Sequence, residues 1–127
     1  RVVQRLAQVM GKVSDNHPQL LAPHLPALVQ RMKEPAVHVA VKRNVVRILQ
    51  NLEMPESLHG DIMNICFDLL ADVKEPVAVR VFSMTVLHNL SKQYPEIRQE
   101  LTVILTDALQ QDCSAGFRSR AVKVLKE

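Results

Sequence analysis

Histidine is the side chain best suited to bind a metal or to move a proton near neutral pH. The chain has five of them: His17, His24, His38, His59 and His88. Two ligands on a helix can face the same metal when they lie three or four residues apart. None of the five has another histidine or a cysteine at that spacing. We therefore expect no metal site, and we place His24 and His38 at the starts of helices instead.

Paired carboxylates are the other groups that could support catalysis. Glu96 with Glu100 and Asp61 with Asp68 are the candidate pairs for acid–base chemistry. Each pair lies on the acidic, solvent-facing side of a predicted helix, and nothing in the sequence places a nucleophile beside a base. The sequence therefore indicates a protein that is not an enzyme and that needs no cofactor.

The two cysteines, Cys66 and Cys113, are far apart and form no Cys-x-x-Cys unit. Neither a disulfide framework nor a zinc module is indicated, which is typical of a reducing compartment. We therefore expect a cytoplasmic location. Cys66 lies in the apolar run Ile65-Cys66-Phe67 and should be a small buried hydrophobic residue.

The composition favours an all-α domain. Hydrophobic residues make up 47% of the 127 residues and aromatic residues only 3%, so the core must be aliphatic. Such side chains suit close-packed helices, and the three glycines are too few for a turn-rich sandwich. The length predicts one domain over residues 1–127. The longest uncharged stretch, residues 17–30, is interrupted by prolines and is shorter than the ~20 residues of a membrane span, so we expect no membrane association.

Proline and small polar residues divide the chain into seven segments of helical length. Apolar residues recur in each at spacings of three and four, and the short connections predict antiparallel neighbours. Pro23 and Pro26 are compatible with a helix, because its first four N–H groups have no partner within the helix. The predicted helices cover residues 1–14, 23–33, 37–52, 56–72, 77–92, 96–110 and the segment from the turn 112–116 to the chain end.

One sequence phrase recurs in the third, fifth and seventh predicted helices, at a period of about 38 residues that marks a helical repeat array. Positions three, six, seven and ten after its basic residue should face the core. We expect the basic residue itself to pair with turn carboxylates or with neighbouring repeats. The three copies are Lys42-x-x-Val45-x-x-Ile48-Leu49-x-x-Leu52, Arg80-x-x-Ser83-x-x-Val86-Leu87-x-x-Leu90 and Arg118-x-x-Ala121-x-x-Val124-Leu125.

The last copy and the turn before it, Asp112-x5-Arg118-x-x-Ala121-x-x-Val124-Leu125, resemble a HEAT repeat. The resemblance covers the chain as about three and a half repeats, although Lys74 stands where the aspartate would precede Arg80. It implies a right-handed α–α superhelix, a HEAT-like solenoid of seven antiparallel helices, whose second helices line a concave surface that binds macromolecules. An armadillo array is the nearest alternative, but it would need a third short helix in each repeat. The chain begins within a predicted helix, a pattern expected of a segment of a longer solenoid.

Charge is divided unevenly between the two types of helix. Leaving aside the last residue, Glu127, the first, third, fifth and seventh predicted helices hold twelve basic residues and no acid, whereas the others are acidic overall. Positions one, five and eight after the basic residue point away from the core, and the HEAT resemblance implies that they line the concave face. The candidate partner-binding residues, here named the outward stripe, are Arg43, Arg47, Gln50, Val81, Thr85, His88, Lys123 and Lys126.

A concave surface of one sign attracts a partner of the opposite sign. The sequence therefore predicts a scaffold or interaction module that binds an acidic protein on a basic concave face. Nucleic-acid binding through phosphate contacts is the alternative, although the net charge is only +3 and base-stacking aromatic residues are few. A third possibility is a structural segment of a longer solenoid with no site of its own.

Overall fold

The computed structural model describes residues 22–127. This range contains six α-helices and no β-strand, so the all-α prediction is confirmed. The six correspond to the second to seventh predicted helices, and the first, residues 1–14, lies outside the described residues, as does His17. We number them α1 (Leu25–Met32), α2 (Val39–Leu49), α3 (His59–Ala71), α4 (Val77–Ser91), α5 (Pro95–Leu109) and α6 (Ala115–Lys126).

The starts of α1 and α2 show how local chemistry sets the helix boundaries. A short 3-10 turn precedes α1, whose first turn contains Pro26 where no backbone N–H is required. His24 occupies the N-cap position of α1. His38 caps α2, because its Nδ1 accepts a hydrogen bond from the backbone N–H of Ala40 at 3.0 Å. Both histidines therefore lie at helix starts, as predicted.

The turn between α1 and α2 contains a residue in the left-handed region: Ala36 has a φ of 57°. A side chain disfavours this conformation, which glycine adopts without strain. Ala36→Gly should therefore raise the free energy of unfolding by about 0.5–1 kcal/mol, measured by urea denaturation with far-UV circular dichroism. Ala121→Gly, within α6, is the matched control and should lower it by about 1 kcal/mol or more. A loss of stability in Ala36→Gly would contradict the strain argument.

The chain forms two compact units, Arg1–Ile65 and Cys66–Glu127, and the boundary between them falls within α3. In the first unit, Lys33 at the end of α1 forms an ion pair with Asp61 of α3, with 2.9 Å between Nζ and Oδ2. Both side chains are partly exposed, so this pair contributes little to stability. The prediction of a single domain stays a prediction.

In the second unit, α4, α5 and α6 contact one another in every pairing. The connections 92–94 and 110–114 are short, and each joins two helices that contact one another. The helices α4 and α6 are one repeat period apart, and their packing is what a stack of helical repeats requires. The apolar side chains buried in this packing include Val79, Leu87, Leu90, Ile97, Leu101, Leu105, Phe117, Ala121 and Val124.

The core positions of the recurring phrase behave largely as predicted. Cys66 of α3 does not belong to the phrase, but it too is fully buried, as its apolar neighbours in the sequence predicted. Leu52 and Leu125 are half-buried rather than buried, because each lies at or beyond the last turn of its helix. The buried phrase positions are Val45, Ile48, Leu49, Ser83, Val86, Leu87, Leu90, Ala121 and Val124.

The basic residue of the phrase makes the same contact in two successive repeats. Arg80 donates from Nε to the carbonyl oxygen of Leu70 at 2.9 Å, and Arg118 donates from Nη2 to that of Leu109 at 3.2 Å. Both acceptors lie at helix C-termini, where carbonyls lack partners and positive charge is favourable. The acceptors are thus helix-end carbonyls rather than turn carboxylates, the first of the two alternatives we predicted. Arg80 also lies over the ring of Phe117, 4.5 Å from its centroid, and so contacts the next repeat. The second alternative, contact with a neighbouring repeat, is therefore confirmed for Arg80.

Candidate functional site

Three of the residues predicted for the outward stripe lie on α2 or at its C-terminal end, in the first unit. Arg43 is exposed, whereas Arg47 and Gln50 are half-buried and each interacts with other groups of the protein. On this helix, Arg43 is therefore the cation most accessible to a partner.

The other five predicted residues lie on α4 and α6, in the second unit. Lys123 and Lys126 are exposed on α6, one helical turn apart. Val81 and Thr85 are half-buried on α4, and the hydroxyl of Thr85 donates to the carbonyl oxygen of Val81 at 3.2 Å. In this unit α6 supplies the accessible charge, while α4 supplies a less polar surface.

His88 differs from the prediction, because its position in the stripe implied exposure and it is only 7% exposed. Its Nε2 lies 2.8 Å from Oε2 of Glu127, and its Nδ1 lies 3.3 Å from Nη1 of Arg98. These partners come from the residue after α6 and from the first turns of α5. They cover a ring that the periodicity of α4 alone would leave in solvent.

The same residues line a pocket of about 280 Å³, formed by His88, Ser91, Lys92, Arg98 and Glu127. Its wall is fixed by a hydrogen bond from the hydroxyl of Ser91 to the carbonyl oxygen of His88, at 2.6 Å. Sequence reasoning selected only His88 among the five. Arg98 could have signalled the pocket, since it is one of few cations on the acidic type of helix.

One donor, Arg98, and one acceptor, Glu127, fix the hydrogen-bonding state of the His88 ring. A guanidinium can only donate, so Nδ1 of His88 accepts from Arg98 and Nε2 carries the hydrogen donated to Glu127. This hydrogen bond lowers the pKa of the Glu127 carboxyl below its ordinary value, and the charges of Lys123 and Lys92 lower it further. The pocket therefore stabilises a carboxylate in its charged form.

The carboxylates considered for catalysis are not among the residues that line this pocket. Asp68, Glu96 and Glu100 are exposed, and Asp61 is paired with Lys33. Within residues 22–127, no three side chains of the histidine, cysteine, aspartate or glutamate type come together in a group able to hold a metal ion. In the same range, no helix combines the length and the apolar character that crossing a bilayer requires.

Comparison with protein families gives one result for the whole chain. A family model described as a HEAT repeat domain matches residues 1–127. Comparisons with curated proteins and with solved structures gave no match. The helical content and the packing of α4 on α6 are what this repeat requires. The chain therefore belongs to the HEAT repeat family.

Proposed function

We propose that this chain is a non-catalytic interaction module whose exposed cations bind an acidic segment of a partner protein. Membership of the HEAT repeat family indicates a helical-repeat scaffold for protein interaction. The finer proposal rests on one observation: α2, α4 and α6 contain basic residues and no aspartate or glutamate.

The helix α6 holds the most basic residues of these three helices. It holds Arg118, Arg120, Lys123 and Lys126 within 12 residues. Arg120, Lys123 and Lys126 follow one another at spacings of three residues, and like charges at that spacing on a helix repel one another. The C-terminal dipole offsets this repulsion for the last turn only, so Lys123 and Lys126 gain from it and the two arginines do not. A partner carboxylate beside α6 would relieve the repulsion, which favours an acidic ligand.

Nucleic acid is the competing partner for a basic surface. Proteins that hold single strands usually stack bases on aromatic side chains, and this chain has three phenylalanines, one tyrosine and no tryptophan. Of these, Phe117 is buried beneath Arg80. These observations favour a protein partner.

Charge reversal on the outward stripe tests the proposal. The probe is a fluorescein-labelled peptide of alternating glutamate and glycine, titrated with the full chain and followed by fluorescence anisotropy. The triple variant Arg43→Glu, Lys123→Glu, Lys126→Glu should bind the peptide at least about tenfold more weakly, because attraction becomes repulsion at three accessible positions. Circular dichroism should show unchanged helix content, since substitutions at exposed sites cost little stability.

The control separates a local surface from net charge. Lys74 is exposed in the turn before α4, so Lys74→Glu changes the net charge as Lys123→Glu does. Lys123→Glu should weaken peptide binding about threefold, and Lys74→Glu should weaken it less than about twofold. The reason is that salt screening limits the range over which exposed charges interact to roughly 10 Å. Equal effects of the two variants would leave no role for the stripe. Tighter binding of duplex DNA than of the peptide would favour the nucleic-acid alternative.

A further inference from the structure

The pocket at His88 already contains a carboxylate supplied by the chain itself. Oε2 of Glu127 accepts from Nε2 of His88 at 2.8 Å. The histidine side chain is only 9% exposed, whereas that of Glu127 is 53% exposed. The donor is therefore built into the protein, and the carboxylate lies at the mouth of the pocket, from which it can leave by side-chain rotation.

The polar groups around this carboxylate are suited to an anion. His88 is held as a donor because Nδ1 is engaged by Arg98. Arg98 and Lys92 line the same pocket, and Lys123 acts electrostatically on Glu127. Arg98 and Lys92 thus share the pocket with one carboxylate, which leaves positive charge for an additional or a competing acidic group.

The position of the pocket connects it with the proposed binding surface. It lies where the end of α4, the first turns of α5 and the residue after α6 meet, and these helices pack on one another. Lys123 belongs to the outward stripe and lies in the last turn of α6, four residues before Glu127. An acidic segment lying along α6 would therefore reach the pocket mouth.

We propose that the pocket of His88, Lys92 and Arg98 is a subsite for one carboxylate of the acidic partner segment, and that Glu127 occupies it when no partner is bound. The inference rests on the proposed function and adds a specific recognition point to it. Glu127 acts as an internal competitor: binding requires the pocket to be vacated, so the observed affinity is reduced by the fraction of molecules in which it is filled.

Removing the competitor gives the most specific test. Glu127→Gln should tighten binding of the glutamate–glycine peptide about three- to tenfold, because the amide carries no charge and vacates the pocket more readily. The matched control is Glu100→Gln, an exposed glutamate on α5. It makes the same change in net charge and should alter binding by less than about twofold.

Removing a pocket cation should have the opposite effect. Arg98→Gln should weaken peptide binding about tenfold, because the carboxylate loses a cation and His88 loses the group that fixes its donor state. Lys74→Gln is the charge-matched control and should have little effect. If Arg98→Gln fails to fold, a second measurement takes the place of the binding test: the nuclear magnetic resonance signal of the His88 ring is followed instead. Adding peptide to Glu127→Gln should shift that signal, and an unmoved signal would overturn the subsite.

The outcomes distinguish the two proposals. If charge reversal on the stripe abolishes peptide binding while Glu127→Gln and Arg98→Gln match their controls, the subsite is wrong and the proposed function stands. If the peptide binds neither the wild-type chain nor Glu127→Gln, both are wrong. Tighter binding by Glu127→Gln alone, with Glu100→Gln unchanged, supports the subsite.

Discussion

Phe117→Ala should lower the free energy of unfolding of the second unit by about 3–5 kcal/mol, the range for removing a buried aromatic ring. The ring is 1% exposed and lies under the guanidinium of Arg80. Its loss would leave a cavity and remove a cation–π contact worth about 0.5–2 kcal/mol. Urea denaturation followed by Tyr94 fluorescence is the measurement. Tyr94 is the sole tyrosine of a chain without tryptophan, and it lies in the same unit.

Val103→Ala is the control for that substitution. Val103 is also a large apolar residue of the second unit, but it is 69% exposed on α5. Its truncation should cost less than about 0.5 kcal/mol, as is usual for surface positions. Equal costs for the two variants would mean that Phe117 is not packed between the repeats.

Alkaline pH should destabilise the second unit through Cys66. Burial raises the pKa of this thiol from 9.0 to about 12, and its hydrogen bond with Ser83 offsets only part of the shift. Above the ordinary pKa the unfolded chain loses a proton that the folded chain keeps. Stability is therefore complete below the unfolded pKa and is lost as pH rises toward the folded one. Between about pH 8.5 and 10.5 this group alone should cost about 2 kcal/mol.

Other groups also titrate in this range, so the comparison with variants decides the result. Cys66→Ala should be less stable at neutral pH but should lose about 2 kcal/mol less than the wild type over the same pH interval. Cys113→Ser is the control, because Cys113 is half-buried and unpaired, and it should keep the wild-type pH dependence. Identical slopes for all three proteins would contradict burial of an un-ionised Cys66 thiol.

Much of the fold could be predicted, because the limits of a helix and its core-facing side are determined by residues that are close together in the sequence. The Glu34-Pro35 and Glu75-Pro76 breaks fall between helices, and Pro95 begins α5. The spacing of the recurring phrase identified Val45, Leu87 and Val124 as buried. Periodicity of three and four residues reports which face of a helix is apolar, and that face must be covered in a folded chain. The handedness of the superhelix has no comparable local signal and stays a prediction.

The candidate site was harder to predict because its contacts join distant parts of the chain. His88 was placed on an exposed stripe, yet Glu127, 39 residues away in sequence, closes over it. The partner of Arg80 is the backbone carbonyl of Leu70, and every residue type carries such an acceptor. Side-chain chemistry alone could not select it. The exposed cations Arg43, Lys123 and Lys126 were predictable, since only their helix face had to be known.

The proposed function requires that cations of this HEAT repeat chain recognise carboxylates of a protein partner. The test is fluorescence anisotropy of the labelled glutamate–glycine peptide with the full chain, compared with random duplex DNA of equal charge, at low and moderate salt. We predict tighter binding of the peptide than of the DNA, and loss of peptide binding when Arg43, Lys123 and Lys126 are reversed to glutamate. Tighter binding of the DNA with a steep salt dependence, or equal peptide binding by the reversed chain, would contradict the claim.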